Sequence, residues 1–273
     1  MKTIIFCISL ILAFSVIPVQ AEINNLSQAI NESGRLRMLT QRMAKAHFLK
    51  ALDIQPEVTQ QQFTKSITKF EENISQLKIF SNSLQDAIEL NKTINEIENN
   101  WSQYKNTLML ELNDYSASYS AKKILEQSDL TLVACEKLVV QLEKTAQRQS
   151  ARWVNLSGRQ RMLSQRIAKL YTAISISGDH RLYDEGLKKA VDEFDVALKE
   201  LTQSPDNTHF VNHKLKKVAT QWNFSKQGFK VLNQGNSTPL VIFMTTETIL
   251  KQMNDITALY EDIDNRKKKI QRS

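Results

Sequence analysis

Six arginines stand in two identical patterns. Ile30-Asn31-Glu32-Ser33-Gly34-Arg35-Leu36-Arg37-Met38-Leu39-Thr40-Gln41-Arg42-Met43-Ala44-Lys45 returns 124 residues later as Val154-Asn155-Leu156-Ser157-Gly158-Arg159-Gln160-Arg161-Met162-Leu163-Ser164-Gln165-Arg166-Ile167-Ala168-Lys169, with eleven of sixteen positions identical. A guanidinium is planar, permanently charged and offers paired donors, so three of them around Met38 and Leu39, and three around Met162 and Leu163, suit capture of a small planar anion such as nitrate, nitrite or a carboxylate. On a helix, Arg37, Gln41 and Lys45 stack on one face, as do Arg161, Gln165 and Lys169. Arg35 and Arg42 share a neighbouring face, as do Arg159 and Arg166. Gly34 and Gly158 let backbone and ligand approach closely. The competing reading is that the arginines reach out from a helix surface and pair with acids on other helices. The nearest local acid, Glu32, has Leu156 as its counterpart and is not expected to supply the counter-charge.

The elements that carry these residues are helical. The chain has six glycines, few prolines and abundant Leu, Lys, Gln, Glu and Ala, with apolar residues three and four apart, as at Val133, Leu138, Val139 and Leu142. Turn-forming clusters recur at the same offset: Pro56 against His180, Ser81-Asn82-Ser83 against Pro205-Asp206-Asn207, and Asn113 to Ser116 against Ser237 to Leu240. The expected helices span about 23–53, 57–80, 83–112 and 118 onward, then the same again. The expected fold is all-α: two tandem up-down four-helix bundles, residues 22–149 and 150–273. Between Leu138 and Ala173 the only helix breaker is Gly158, which leaves two arrangements. One continuous helix would make a rod of two bundles; a bend near Gln147-Arg148-Gln149-Ser150 would lay them side by side.

Residues 1–21 read as a cleaved signal peptide: Lys2, an apolar run from Ile4 to Ile17, and Val19-Gln20-Ala21 before the cut. That run is shorter than the roughly 20 residues of a bilayer span. Export to a Gram-negative periplasm follows as the expectation, with Cys135 as the one remaining cysteine, a buried structural thiol. The formal charge is +7, or +6 without Lys2, and its basic residues are scattered, which excludes a nucleic-acid stripe. His209 and His213 lack companion ligands and are expected to cap the start of a helix, with no metal site. Asp192, Glu193 and Asp195 read as a solvated face, the stretch from Arg266 to Arg272 as a terminus, and Trp101, Trp222, Phe224 and Phe229 as core. No phosphate loop, nucleophile elbow or metal-hydrolase helix is present, so neither catalysis nor a cofactor is expected.

The pattern Asn-x-x-Gly-x-x-Arg-Met-x-x-x-Arg resembles the nitrate-sensing box on the first periplasmic helix of NarX and NarQ sensor kinases. The string Ser157-Gly158-Arg159-Gln160-Arg161-Met162-Leu163-Ser164-Gln165-Arg166-Ile167-Ala168-Lys169 resembles more closely the N-terminal sensory domain of PilJ-type methyl-accepting chemotaxis transducers. The resemblance implies an anion held between two first helices by the arginine before the methionine, Arg37 and Arg161, with Arg35, Arg159, Arg42 and Arg166 behind them. The two copies of one chain would then imitate a dimer, or two chains would pair copy with copy as a homodimer. The chain shows no second span or signalling module, so the resemblance points to a membrane receptor, sensor kinase or respiratory component as partner. The alternative is an unliganded assembly or adaptor protein of a chemosensory or pilus system, with the box as a helix-pairing surface.

Overall fold

Asn25 accepts the Gln28 amide at 3.0 Å and opens the first helix, satisfying one of the donors every helix start leaves free. The computed structural model describes residues 22–109, 117–178, 183–230 and 239–270. Within them lie α1 (Leu26–Ala51), α2 (Pro56–Asn82), α3 (Ile88–Leu108), α4 (Ala117–Ala146), α5 (Gln149–Ser177), α6 (Asp184–Thr202), α7 (His209–Lys230) and α8 (Pro239–Ile270). Among the described residues there are no strands. Pro56 starts α2, where its missing amide hydrogen costs nothing. Gly178, at φ 65°, ends α5 with its amide on the Ile174 carbonyl at 2.9 Å.

Each set of four helices packs in a square: α1 on α2 and α4, with α3 joining α2 and α4, and α5 on α6 and α8, with α7 joining α6 and α8. The aromatic centres repeat as well. Phe70 lies 4.5 Å from Trp101 and Phe194 lies 4.1 Å from Trp222, ring centre to ring centre. Phe224 departs from expectation: it is 61 % exposed, on the face of α7 opposite Trp222. Val133 is likewise exposed, the buried stripe of α4 running instead through Leu132, Cys135, Leu138, Val139 and Leu142.

Of the two arrangements open to the sequence, the chain takes the bend. Helix α4 stops at Ala146, Gln147 enters the left-handed region at φ 51°, and Arg148 is extended (φ −132°, ψ 136°) before α5 begins. An L residue at positive φ costs about 1 kcal/mol or more, so something distant must hold the break. Asp264 on α8 does so, accepting from Arg148 Nε at 3.0 Å and Nη2 at 2.7 Å and from the hydroxyls of Ser150 and Ser27. The result is a side-by-side pair in which α1 lies along α5, α4 also touches α5, and α8 also touches α1.

Candidate functional site

The face bearing Arg37, Gln41 and Lys45, with its repeat Arg161, Gln165 and Lys169, is the seam between α1 and α5. All six side chains are buried. The two helices run parallel, so equivalent residues meet across a local two-fold relation. Arg37 donates through Nη2 to the Asn155 carbonyl at 3.2 Å and to Asn155 Oδ1 at 2.8 Å; Arg161 donates through Nη2 to the Asn31 carbonyl at 3.1 Å. The seam is tight because both helices have glycine there. A Cβ on Gly34 would stand 3.3 Å from Nη2 of each arginine, and one on Gly158 3.1 Å from Nη2 of Arg161 and 3.5 Å from Nη2 of Arg37. Two guanidinium groups thus share one small space, floored by the two glycines.

The fourth helix of each copy lines this seam with a row of residues seven apart. On α4 they are Asp129, Glu136 and Glu143; on α8 they are Glu247, Asn254 and Glu261. Glu143 accepts from Asn155, and Glu261 from Asn31 at 2.6 Å. Asp129 meets Lys169 at 2.9 Å and Arg166 at 3.8 Å, while Glu247 meets Lys45 and, at 2.7 Å, Arg42. Lys45 also donates to Gln165 Oε1 at 2.6 Å. In the middle rung, Glu136 meets Arg37 at 2.7 Å and Arg159 at 3.3 Å, but Asn254 offers Arg161 only an amide oxygen, 3.3 Å from Nη1.

Five of the six box arginines therefore have a carboxylate partner. Arg35 takes Glu32 at 3.3 Å, correcting the expectation that Glu32 supplies no counter-charge, and Arg159 adds Glu193 at 2.9 Å. For Arg35, Arg42, Arg159 and Arg166, all part-exposed, pairing with acids is the observed arrangement. Arg161 is fully buried and, among the described residues, has no carboxylate in ion-pair contact. Burial above all, then Arg35 and Arg37, push its guanidinium down to about 9, against the opposing pull of Glu32 and Glu261. It remains charged at neutral pH. The Nε atoms of Arg37 and Arg161 are both buried without an acceptor. Burial would raise Glu136, but Arg37 and Arg159 hold it below the ordinary carboxylate value.

The rows on α4 and α8 escaped the sequence reading. Their signal is the heptad of acids, displaced by 118 residues rather than 124. Asn31 and Asn155, which receive the arginines, lie within the repeated pattern, where nothing but the facing helix reveals their role. Other expectations fall outside the seam. His209, the first residue of α7, and His213, one turn further on, are both exposed, and the helix start is capped by Thr208 Oγ1 accepting the Val211 amide at 3.2 Å. Asp192 pairs with Lys188 at 2.9 Å, Glu193 serves Arg159, and Asp195 accepts from Trp222 Nε1 at 2.6 Å and pairs with Lys226. Cys135 is buried as expected. The leader, residues 1–21, lies outside the described residues, as do Arg272 and the turn clusters at 113–116 and 237–238. No described helix is long and apolar enough to cross a membrane.

The sequence model of the family described as "Type IV pili methyl-accepting chemotaxis transducer N-term", PilJ, matches residues 19–131 and 145–242. The two matched segments follow the duplication and together cover most of the chain, which belongs to this family of chemotaxis-transducer sensory regions. No curated protein and no solved structure matches the chain.

Proposed function

We propose that this chain is a periplasmic sensory protein that binds a small planar anion of the nitrate or nitrite kind between α1 and α5, and acts through a membrane receptor, sensor kinase or respiratory partner without catalysis. One observation carries the reading: Arg161 is a fully buried cation lacking the carboxylate that every other box arginine has. Leaving a charge uncompensated in a protein interior is costly, and an anion bound there would offset that cost. Arg37 and Arg161 are assigned the ligand, Arg35, Arg159, Arg42 and Arg166 the surrounding field, and Gly34 and Gly158 the space. The export expected for residues 1–21 supports a periplasmic place for the protein.

The unliganded reading has its own support, because Nη2 of each arginine already bonds a carbonyl of the facing helix. An assembly or adaptor protein would use those bonds as helix-pairing contacts. Calorimetric titration with nitrate and nitrite, on the full chain and on Arg37→Ala and Arg161→Ala variants whose helicity is checked by circular dichroism, separates the two. Saturable heat lost in both variants supports the anion site; no heat in the unaltered chain assigns the box to packing.

A further inference from the structure

The arginine seam is symmetric in its backbone contacts and asymmetric in its counter-charge. Outer rungs of the two fourth-helix rows are acidic on both sides, Asp129 with Glu247 and Glu143 with Glu261. Only the middle rung differs, Glu136 on Nη1 of Arg37 at 2.7 Å against Asn254 on Nη1 of Arg161 at 3.3 Å. The chain gives one guanidinium of the pair a carboxylate in direct contact and leaves the other with none, Glu32 and Glu261 acting on it only from beyond ion-pair distance.

Asn254 has a second property. It lines an open groove of about 600 Å³ that contains Arg35, Arg42, Lys65 and Lys69 over a floor of Met38 and Leu39, with Glu72, 3.6 Å from Lys69, as the one acid of the lining. Both grooves hold paired cations, but the lining of the one beside Arg159 in the second copy holds more acids than bases: where Lys69 stands in the first copy, Glu193 stands in the second and pairs with Arg159, Asp192 pairs with Lys188, and Glu185 and Glu200 add to the acids. Positive potential is therefore concentrated on one side of the seam, the side on which the arginine without a carboxylate faces an amide.

Resting on the anion-site reading, we infer that the chain takes one monovalent anion, at Arg161, admitted from this groove past Asn254, while Glu136 permanently occupies the matching place on Arg37. A monovalent oxyanion supplies the one missing charge. A divalent one would bring an excess negative charge into the seam, where unpaired charge is expensive. The anion would sit where a carboxylate sits on Arg37, replacing the long Asn254 contact, and the Asn254 amide can turn its NH2 group to donate to it.

Titrating the full chain with nitrate, nitrite, formate and sulfate tests this, alongside Asn254→Glu, Asn254→Gln and Glu136→Gln variants monitored by circular dichroism. The expected pattern is a single equivalent in the unaltered chain, with sulfate weaker by roughly 100-fold than the tightest monovalent probe. Asn254→Glu supplies the missing carboxylate internally and should weaken binding by roughly 100-fold, with Asn254→Gln within about threefold of the parent. Glu136→Gln uncovers Arg37 and should raise the stoichiometry to two. Two equivalents in the unaltered chain, sulfate as the preferred ligand, or unchanged binding in a folded Asn254→Glu variant would each overturn the inference. Should Asn254→Glu not fold, the Glu136→Gln stoichiometry decides, one equivalent counting against and two for. No heat from the unaltered chain with any probe removes the anion site itself, a result distinct from all of these.

Discussion

Arg148 grips Asp264 with two nitrogens, Nε on Oδ1 at 3.0 Å and Nη2 on Oδ2 at 2.7 Å, so that the last helix of the chain holds the break between its two halves. The residue before the grip, Gln147, has the left-handed backbone that turns the chain. Asp264 is buried and collects Ser27 and Ser150 as well, tying the start of α1, the break and α8 at one point.

Asp264→Ala should therefore destabilise the chain by about 3 kcal/mol, because it strands a partly buried guanidinium and two buried hydroxyls. Burial tends to raise the Asp264 carboxyl, but the hydrogen bonds from Arg148, Ser150 and Ser27 and the Arg148 charge outweigh it, and it lies below its ordinary value of 3.8. Its contribution is present above pH 3.8 and fades as pH falls through the lower folded value. Urea midpoints of parent and variant should differ at pH 6 and converge in acid; equal midpoints at pH 6 would show that the break holds without the clamp.

Gly158→Ala probes the seam by space alone. The new methyl would stand 3.1 Å from Nη2 of Arg161, the far end of a flexible side chain, so the guanidinium gives way and the backbone stays. Alanine in place of a helical glycine offsets the disturbance by up to about 1 kcal/mol, so thermal stability should change by no more than that. Anion affinity should fall roughly tenfold, a loss of about 1.4 kcal/mol. Unchanged affinity in calorimetry would place the ligand elsewhere.

Much of this seam was legible before the fold. The pattern from Ile30 to Lys45 and its repeat mark α1 and α5, and the face of Arg37, Gln41 and Lys45 follows from helical spacing; that face is the seam itself, not a surface. The acid rows were harder to see because the copies drift out of register. Phe70 and Phe194 stand 124 apart, Trp101 and Trp222 stand 121 apart, and Asp129 and Glu247 stand 118 apart, so one fixed offset misses Glu136 and Asn254. The break at Gln147 has no local cause at all. No glycine or proline marks it, and Asp264, which stabilises it, is 116 residues beyond Arg148.

Cys135 should be inert in the native chain. Burial pushes its thiol far up, more than nearby Arg37 pulls it down, so thiolate is scarce at neutral pH and a reagent has no path to it. An aromatic disulfide reagent should label it at least about 1,000-fold more slowly than in urea, at a rate set by opening of the bundle. Prompt labelling without denaturant would mean that α4 separates readily from the seam.

Lys45 and Lys169 give the chain an unusual alkaline response. Both are fully buried, and burial, aided by Arg42 and Arg166 respectively, outweighs their carboxylate partners Glu247 and Asp129, lowering each from 10.5 to about 8. Between pH 8 and 10.5 the unfolded chain therefore binds more protons at these positions than the folded one, and stability rises with pH. Two such groups should add roughly 1–3 kcal/mol between pH 7 and 9. Above pH 9 the trend weakens, because Cys135, Tyr104 and Tyr260 are held protonated in the fold and titrate earlier once unfolded. Urea unfolding at pH 7, 8 and 9 should show the midpoint climbing. In the Lys45→Met, Lys169→Met double variant the climb should largely flatten, since the two lysines that lose their protons near pH 8 in the fold are gone and only the smaller contribution of Arg161, at about 9, remains. A midpoint that falls from pH 7 to 9 in the parent would mean that both ammonium groups keep their protons in the fold, stabilised by Glu247 and Asp129 beyond the cost of burial.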